Sequence, residues 1–428
     1  MVQTLFYYLV MKDLKYLLLF VFMFACDVFV MGKGVSEMFQ DATLRVDIVF
    51  KGETSKENVS VAGIYRNEGW TGKVIKEVSD ESIQKGDFLY SLVDCATSDI
   101  IWRDGFCTLY DEYLHSEWKS KRPRAFEHSI LMPMPRKKSV LILYNRNWDG
   151  DNVEILRDTI DVLRVASCTT NLNPNVKVLK NSGNPKENLD ILILADAYTA
   201  SEQGKFDKVA ADLSNRWLNR SPWNRFKNNI SVRTAFIASD TNSVGDERDT
   251  VNIKHTVLGS RFGWLDSDRY LINNSIFKQM DYIGTIPADI IVVAVNTREY
   301  GGGGVYNEIT TISADHPSAL ELILHEAGHS FVGLADEYFC DYEDMENYFN
   351  TSIEPWQPNV TTLKELEKKW KNSYEQGTTG LHEGAAYHTR GMYRSSENCL
   401  MRELSVPFCK VCEGELEKSI EEYIVSNK

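Results

Sequence analysis

The chain has 428 residues, enough for two or three domains with real cores, and its 43% hydrophobic and 25% charged content is that of an ordinary globular protein. A formal net charge of -14 argues against nucleic acid and anionic membrane surfaces as partners, because both select for a basic patch.

In chain order, the first expected element is a targeting segment over residues 1–33. Tyr16 to Met31 is an apolar run preceded by Lys12 and Lys15 and interrupted by Asp27. It is too short and too broken for a membrane-spanning helix and fits the apolar region of a secretory signal peptide. Met11 is an alternative start that gives a more compact signal. Cys26, after Phe24-Ala25, is a candidate lipoprotein cysteine that would tether the protein to a membrane; the other reading is a cysteine removed with the signal. Both readings predict export, to a secreted, periplasmic or cell-surface location.

Residues 37–150 show short alternating or apolar runs: Leu44 to Phe50, Phe88 to Leu92 and Ser139 to Tyr144. Lys51-Gly52 and Lys85-Gly86-Asp87 supply the turns between them. The pattern predicts a small N-terminal β-sandwich with Trp102, Phe106, Trp118 and Phe126 in its core. No metal-ligand spacing occurs there, so its expected part is support, docking or substrate presentation. Residues 151–185, rich in Asn, Asp, Gly and Pro, read as an irregular connector with one short helix.

Residues 186–428 read as a catalytic domain. A buried strand at Leu189 to Ala195, a helix at Ala200 to Leu218, and strands at Ile230 to Ala238 and Ile290 to Val295 predict an α/β sheet. Gly301 to Gly304, followed by Val305-Tyr306, is a candidate edge strand that pairs with extended substrate, with Gly303 and Gly304 letting ligand approach the backbone. A flexible loop is the competing reading.

The chemistry concentrates at Leu322 to Tyr338, where His325-Glu326-Ala327-Gly328-His329 is an HExxH. Two histidines one helical turn apart can reach one metal ion, and Glu326 beside them can act as general base on a zinc-activated water. Leu320, Ile323, Leu324, Ala327 and Phe331 recur at helical spacing and would bury the helix. Gly333 is placed to stop it as a left-handed cap. The longer metzincin pattern HExxHxxGxxH has glycine seven and the third ligand ten residues after the first histidine. Here glycine comes at eight and the acidic pair Asp336-Glu337 begins at eleven, so the third ligand is Asp336 first and Glu337 second. Met401 is a candidate for the methionine turn beneath the metal. His316 lies too far before His325 to share its metal and reads as a surface or capping residue. His382, His388 and Tyr393 are candidates for substrate contact.

Beyond Cys26, the chain has Cys95, Cys107, Cys168, Cys340, Cys399, Cys409 and Cys412, an odd number. Cys409-Lys410-Val411-Cys412 has no second CxxC and no histidine at finger spacing, so it does not read as a zinc ribbon. Local disulfides involving Cys340, Cys399 or the CxxC are expected in an exported chain, with the pairing open.

HEAGHSFVGLADEY after GGGGVYN resembles the IgA-peptidase family of zinc metallopeptidases, which are metzincin-like zincins. Asp190 to Thr199 is similar to the family's strand ending in DGYT, with Ala197 where glycine is usual. Glu383-Gly384-Ala385, Gly391-Met392-Tyr393-Arg394 and Cys399-Leu400-Met401-Arg402 are similar to its later elements. Arg124 to Glu127 before Met132 to Pro135 is similar to the close of its N-terminal β domain. The resemblance implies an exported zinc endopeptidase acting on protein or peptide substrates, with immunoglobulin-like host proteins in the class. His325, His329 and Asp336 would hold the zinc, Glu326 would be the base, and Met401 the floor. The rival reading is a catalytically silent surface binder on the same fold. Oligomeric state is left open.

Overall fold

The structure is a computed structural model and describes residues 35–52, 57–75, 78, 85–116, 123–168, 173–249, 251, 254–339 and 348–425. The expected targeting segment with Met11 and Cys26, together with Trp118 and Cys340, lies outside these residues. The fold is mixed α/β with several sheets. Among the described residues no helix is long and apolar enough to cross a membrane.

The N-terminal part builds two four-stranded sheets. One is formed by β1 (Phe39–Gly52), β2 (Glu57–Glu68), β5 (Arg124–Pro135) and β8 (Ala166–Ser167), in the order β5-β1-β2-β8. The other is formed by β3 (Phe88–Asp94), β4 (Ile100–Phe106), β6 (Ser139–Arg146) and β7 (Asn152–Ile160), in the order β4-β3-β6-β7. Leu44, Val46, Ile48 and Phe50 recur at the strand period of two along β1 and pack with Phe88, Leu92, Phe106, Leu141 and Leu143 in one cluster. Trp102, Phe106 and Phe126 belong to that cluster. Helix α1 (Leu109–His115), capped by the Thr108 hydroxyl, lies between the two runs of strands.

Residues 151–185 differ from the expected irregular connector. They supply β7, β8 and β9 (Asn175–Lys180), the last of which joins the next sheet. Their inner-face signal is weak because most of β7 and β9 is exposed, so no apolar alternation marks them in the sequence.

The later part is organised by a six-stranded sheet. Its central strands β10 (Leu189–Asp196), β11 (Ile230–Phe236), β14 (Ile290–Val295) and β16 (Ile309–Ser313) are parallel. Both edges, β9 and β15 (Gly302–Val305), are antiparallel, and the order is β15-β16-β14-β10-β11-β9. A separate short pair, β12 (Gly245–Asp246) and β13 (Arg261–Phe262), lies in the connection between β11 and β14. Every residue of β10 and β14 is buried, so β14 reads as an unbroken apolar run and β10 as one bounded by Asp190 and Asp196. Ile191 and Ile193 face a cluster shared with α2 (Gln203–Leu218) and the site helix. Leu192 and Leu194 face the opposite cluster with α3 (Ile276–Ile283). Ala197 at the end of β10 holds a left-handed φ of 60°, the conformation that explains why glycine suits this position.

The two parts share buried polar links. Arg45 forks onto Asp47 on its own strand and reaches Asp281 and the Phe277 carbonyl of α3. His128 of β5 meets Glu308 at 2.5 Å while its ring stacks on Phe106 at 3.8 Å.

Candidate functional site

Helix α4 (Ala319–Ala327) packs Leu320, Ile323, Leu324 and Ala327 into the sheet's core, as the helical spacing requires. His316 accepts the Ser318 N–H at 3.0 Å just ahead of it, the capping one of its two expected parts. At Gly328 the helix widens into a π turn, Gly328–Val332, and it stops at Gly333 with φ 76°. The wide turn has a local cause. The Ser330 carbonyl is diverted to the Asn307 N–H at 2.7 Å and the Ser330 hydroxyl to Thr310, both on the neighbouring sheet edge. One extra residue is therefore held inside the turn, and this accounts for glycine at eight and Asp336 at eleven.

The result brings His325, His329 and Asp336 together. The two imidazole Nε2 atoms are 3.2 Å apart, and Asp336 Oδ1 lies 3.1 Å from one and 3.4 Å from the other. Ligand atoms about 2.0–2.1 Å from a tetrahedral zinc ion would be separated by about 3.3 Å, so the triangle fits that ion. The Nδ1 atoms are turned away from the cluster, onto the Leu400 carbonyl at 3.0 Å and the Leu334 carbonyl at 2.6 Å. Each Nδ1–H donates to its carbonyl, leaving Nε2 with a lone pair for a cation. Asp336 Oδ1 is buried without a hydrogen-bond partner, while Oδ2 accepts the Tyr387 hydroxyl at 2.7 Å. An orphaned carboxylate oxygen between two imidazoles is a donor set for a divalent metal.

The electrostatics show how strongly Asp336 draws positive charge to this point. Burial works against charge on His329, but Asp336 beside it prevails and raises the imidazole to about 9. Burial pushes Asp336 up, yet His329 and His325 hold it far below the ordinary carboxylate range. Glu326, raised chiefly by burial, sits beside the pair with its donor oxygen within 4.8 Å of theirs.

The acidic pair is sent to two places. Asp336 and Glu337 are successive residues, yet their side chains reach different neighbours. Glu337, the second choice for third ligand, turns away to Asn359, Cys409 and Cys412. Asn359 also bonds both main-chain groups of Ala335 at 2.8 Å and so fixes the segment. Met401 is fully buried, its sulfur 2.7 Å from where a Cβ on Gly328 would stand, which puts it under the site helix. Its carbonyl accepts the Glu337 N–H at 2.8 Å.

The glycine run is a strand and not a loop, and its edge is already covered at Gly302. A Cβ on Gly302 would stand 2.5 Å from Glu326 Oε1, and one on Gly304 would stand 2.2 Å from the Glu326 carbonyl and 2.9 Å from His329 Cβ. The missing side chains let α4 lie directly on β15. Gly303 lies opposite Thr311, two residues on from the Ser313-to-Gly301 bond, so its main-chain groups point into the ladder and not toward a substrate. Gly302 exchanges its outward bonds with Arg269 and Leu271. Gly304 is the glycine whose main chain faces the outer edge. We expect Gly304→Ala to cost about 1–3 kcal/mol by overpacking against helix backbone, read as a lower urea midpoint, with weaker metal retention because His329 is displaced.

Tyr393 is paired within a small sheet, opposite Glu383 and Thr361, and its hydroxyl meets Glu383 at 3.4 Å. The tyrosine of this segment that reaches the histidine cluster is Tyr387. The chain turns there through two left-handed residues, Ala386 (φ 49°) and Tyr387 (φ 67°), a strained pair with no sequence signal. His388 is engaged with the Phe349 carbonyl at 2.9 Å. Tyr270, bonded to Glu112 of α1 at 2.5 Å, lies against Gly303 and was equally silent in the sequence. Tyr387→Phe removes the bond that orients Asp336, and we expect about 10–100-fold weaker zinc affinity, measured by competition with a chromogenic chelator.

No disulfide forms among the described cysteines. Cys399, Cys409 and Cys412 are buried free thiols, contrary to the expected local cross-links. Gathering them around Glu337 removes the geometric reason for a pair.

No curated protein matches the chain. Residues 34–157 match the family description Peptidase M64 N-terminus, and residues 177–379 and 372–420 match IgA Peptidase M64. Together these matches cover most of the chain, including every residue of the histidine cluster. The chain belongs to the IgA Peptidase M64 family of peptidases.

Proposed function

We propose that this protein is an exported zinc endopeptidase in which an N-terminal β-sandwich supports a metzincin-like zincin domain. The observation that carries the reading is the triangle of His325 Nε2, His329 Nε2 and Asp336 Oδ1, with edges of 3.1 to 3.4 Å and a glutamate beside it. These three residues would hold the ion. Bound there, zinc supplies Lewis-acid polarisation of a peptide carbonyl and brings a water's pKa toward neutrality. Glu326 accepts the proton of the attacking water on its carboxylate and delivers it to the nitrogen of the leaving amine. Leu400 and Leu334 keep both imidazoles in the tautomer that presents Nε2. Tyr387 steadies Asp336, and Met401 fills the space beneath Gly328.

The substrate we infer is extended polypeptide. The outward main chain of Gly304, one residue before Val305 on the sheet edge and against the histidine helix, offers an N–H and a C=O to a strand laid beside it. Such pairing reads backbone and is indifferent to side chains, in keeping with a protein substrate whose sequence specificity is set elsewhere. The apolar run before residue 34 supports export, and Cys26 supports a lipid tether. The test is cleavage of a broad peptide library by the full-length mature chain, before and after chelation. We expect internal cleavage that is lost with a chelator and regained with zinc. Turnover that persists in the chelated protein would overturn the metal mechanism, and no cleavage of any peptide by the metal-loaded protein would leave the surface-binder reading in its place.

A further inference from the structure

Away from the histidines, the described residues bring together a second set of metal-ligating groups. Glu337, Cys399, Cys409 and Cys412 are all buried, and their donor atoms lie within 4.8 Å of one another. Cys399 Sγ and Cys412 Sγ are 3.6 Å apart, and Glu337 Oε1 is 3.2 Å from Cys412 Sγ and 3.9 Å from Cys409 Sγ. With Zn–S near 2.3 Å and Zn–O near 2.0 Å, a tetrahedral site would have edges of about 3.8 Å between sulfurs and about 3.5 Å from sulfur to oxygen. The cluster has those dimensions. A disulfide needs sulfurs about 2 Å apart, and pairing two of three thiols would strand the third beside a buried carboxylate.

Two further observations point to a ligand. Glu337 is completely buried and its Oε2 has no hydrogen-bond partner. The sulfurs, for their part, collect donors. Cys399 Sγ accepts the Cys409 N–H at 3.3 Å, Cys409 Sγ accepts the Cys412 N–H at 3.5 Å, and the Ser395 hydroxyl lies 3.3 Å from Cys409 Sγ. Cys409 is also the N-cap of helix α5 (Lys410–Glu421), where amide dipoles favour a thiolate. N–H groups aimed at sulfur are the arrangement of thiolates that carry charge.

We propose that Glu337, Cys399, Cys409 and Cys412 form a second, structural metal site with three thiolates and one carboxylate, suited to zinc. Four buried protein donors leave no open position, which separates it from a catalytic site. Its location gives it a task. Cys399 precedes Leu400, whose carbonyl orients His325, and Met401, whose carbonyl holds the Glu337 N–H; Glu337 follows Asp336. One ion there ties the chain segment under the helix to the segment carrying the third histidine-site donor. The proposal stands whether or not the histidine site cleaves peptides.

The test is cobalt substitution of the full mature chain, read by optical spectroscopy together with metal content. Thiolate ligands give cobalt(II) an intense near-ultraviolet charge-transfer band that imidazole and carboxylate ligands do not. We expect the wild type to bind about two equivalents of metal and show the sulfur band. A His325→Ala/His329→Ala variant should keep the band and about one equivalent. Cys409→Ser/Cys412→Ser should lose the band, and Glu337→Gln should keep a weaker, shifted one. Because cysteine variants can fail to fold, the wild type and the histidine variant are the deciding samples. No sulfur band in either, with all three cysteines titrating as free thiols or with a Cys399–Cys412 disulfide in the mass spectrum, would overturn the proposal.

Discussion

Replacing Glu326 with glutamine is expected to lower kcat/KM for peptide cleavage about 10³-fold, equivalent to about 4 kcal/mol of transition-state stabilisation, while metal content stays unchanged. Glutamine has the same shape, so the contacts with Gly302 and the helix packing persist. It cannot accept the water's proton. The structure also predicts what stability does. Burial raises the Glu326 carboxyl, so its folded-state pKa lies above the unfolded one, and the charged group costs stability as pH rises through that range. Glutamine removes that cost, and the variant should melt at the same temperature as the wild type or slightly above it. Glu326→Asp keeps the charge but shortens the reach, so it should fall between the two. Activity of the glutamine variant within tenfold of wild type would assign the proton transfer to another group.

Arg45→Met is the change with the largest expected effect on folding, about 3–5 kcal/mol. Arg45 is 1% exposed, and its guanidinium makes two bonds of 2.7 Å to Asp47 and one of 2.7 Å to Asp281. Removing it strands Asp47, whose one remaining side-chain donor is the Ser129 hydroxyl at 2.7 Å. It also releases the Phe277 carbonyl and cuts a link between β1 and α3. The melting temperature should fall by about 10 °C. In the double variant Arg45→Met/Asp47→Leu no charge is left buried, and most of the loss should return. A double variant no more stable than Arg45→Met would show that the loss comes from packing and not from the stranded charge.

The parts of this protein that were legible in its sequence are those where one residue's environment is set by near neighbours. HExxH, the left-handed stop at Gly333 and the fully buried strands β10 and β14 are of this kind. Asp336 was identified from its place after the glycine. What escaped was set by distant chain. Tyr387 reaches Asp336 through a strained turn that no residue pattern announces. Cys399, Cys409 and Cys412 meet Glu337 across a wide separation in sequence, so the CxxC looked like half of a cross-link. Gly301 to Gly304 suggested room for a ligand, whereas at Gly302 and Gly304 the space is taken by the helix that carries the histidines. β7 and β9 hid because exposed strands need not alternate.

The π turn at Gly328–Val332 bears on how motifs of this type should be measured. Adding one residue to an ordinary helix rotates everything after it by about 100°. A turn that closes over one more residue absorbs the addition, so the chain leaves Gly333 on its original heading and Asp336 still faces the histidines. Spacing counted in residues is thus an elastic ruler. What this site keeps is the azimuth of the exit, and a helix able to store a residue can lengthen its signature without moving a donor atom.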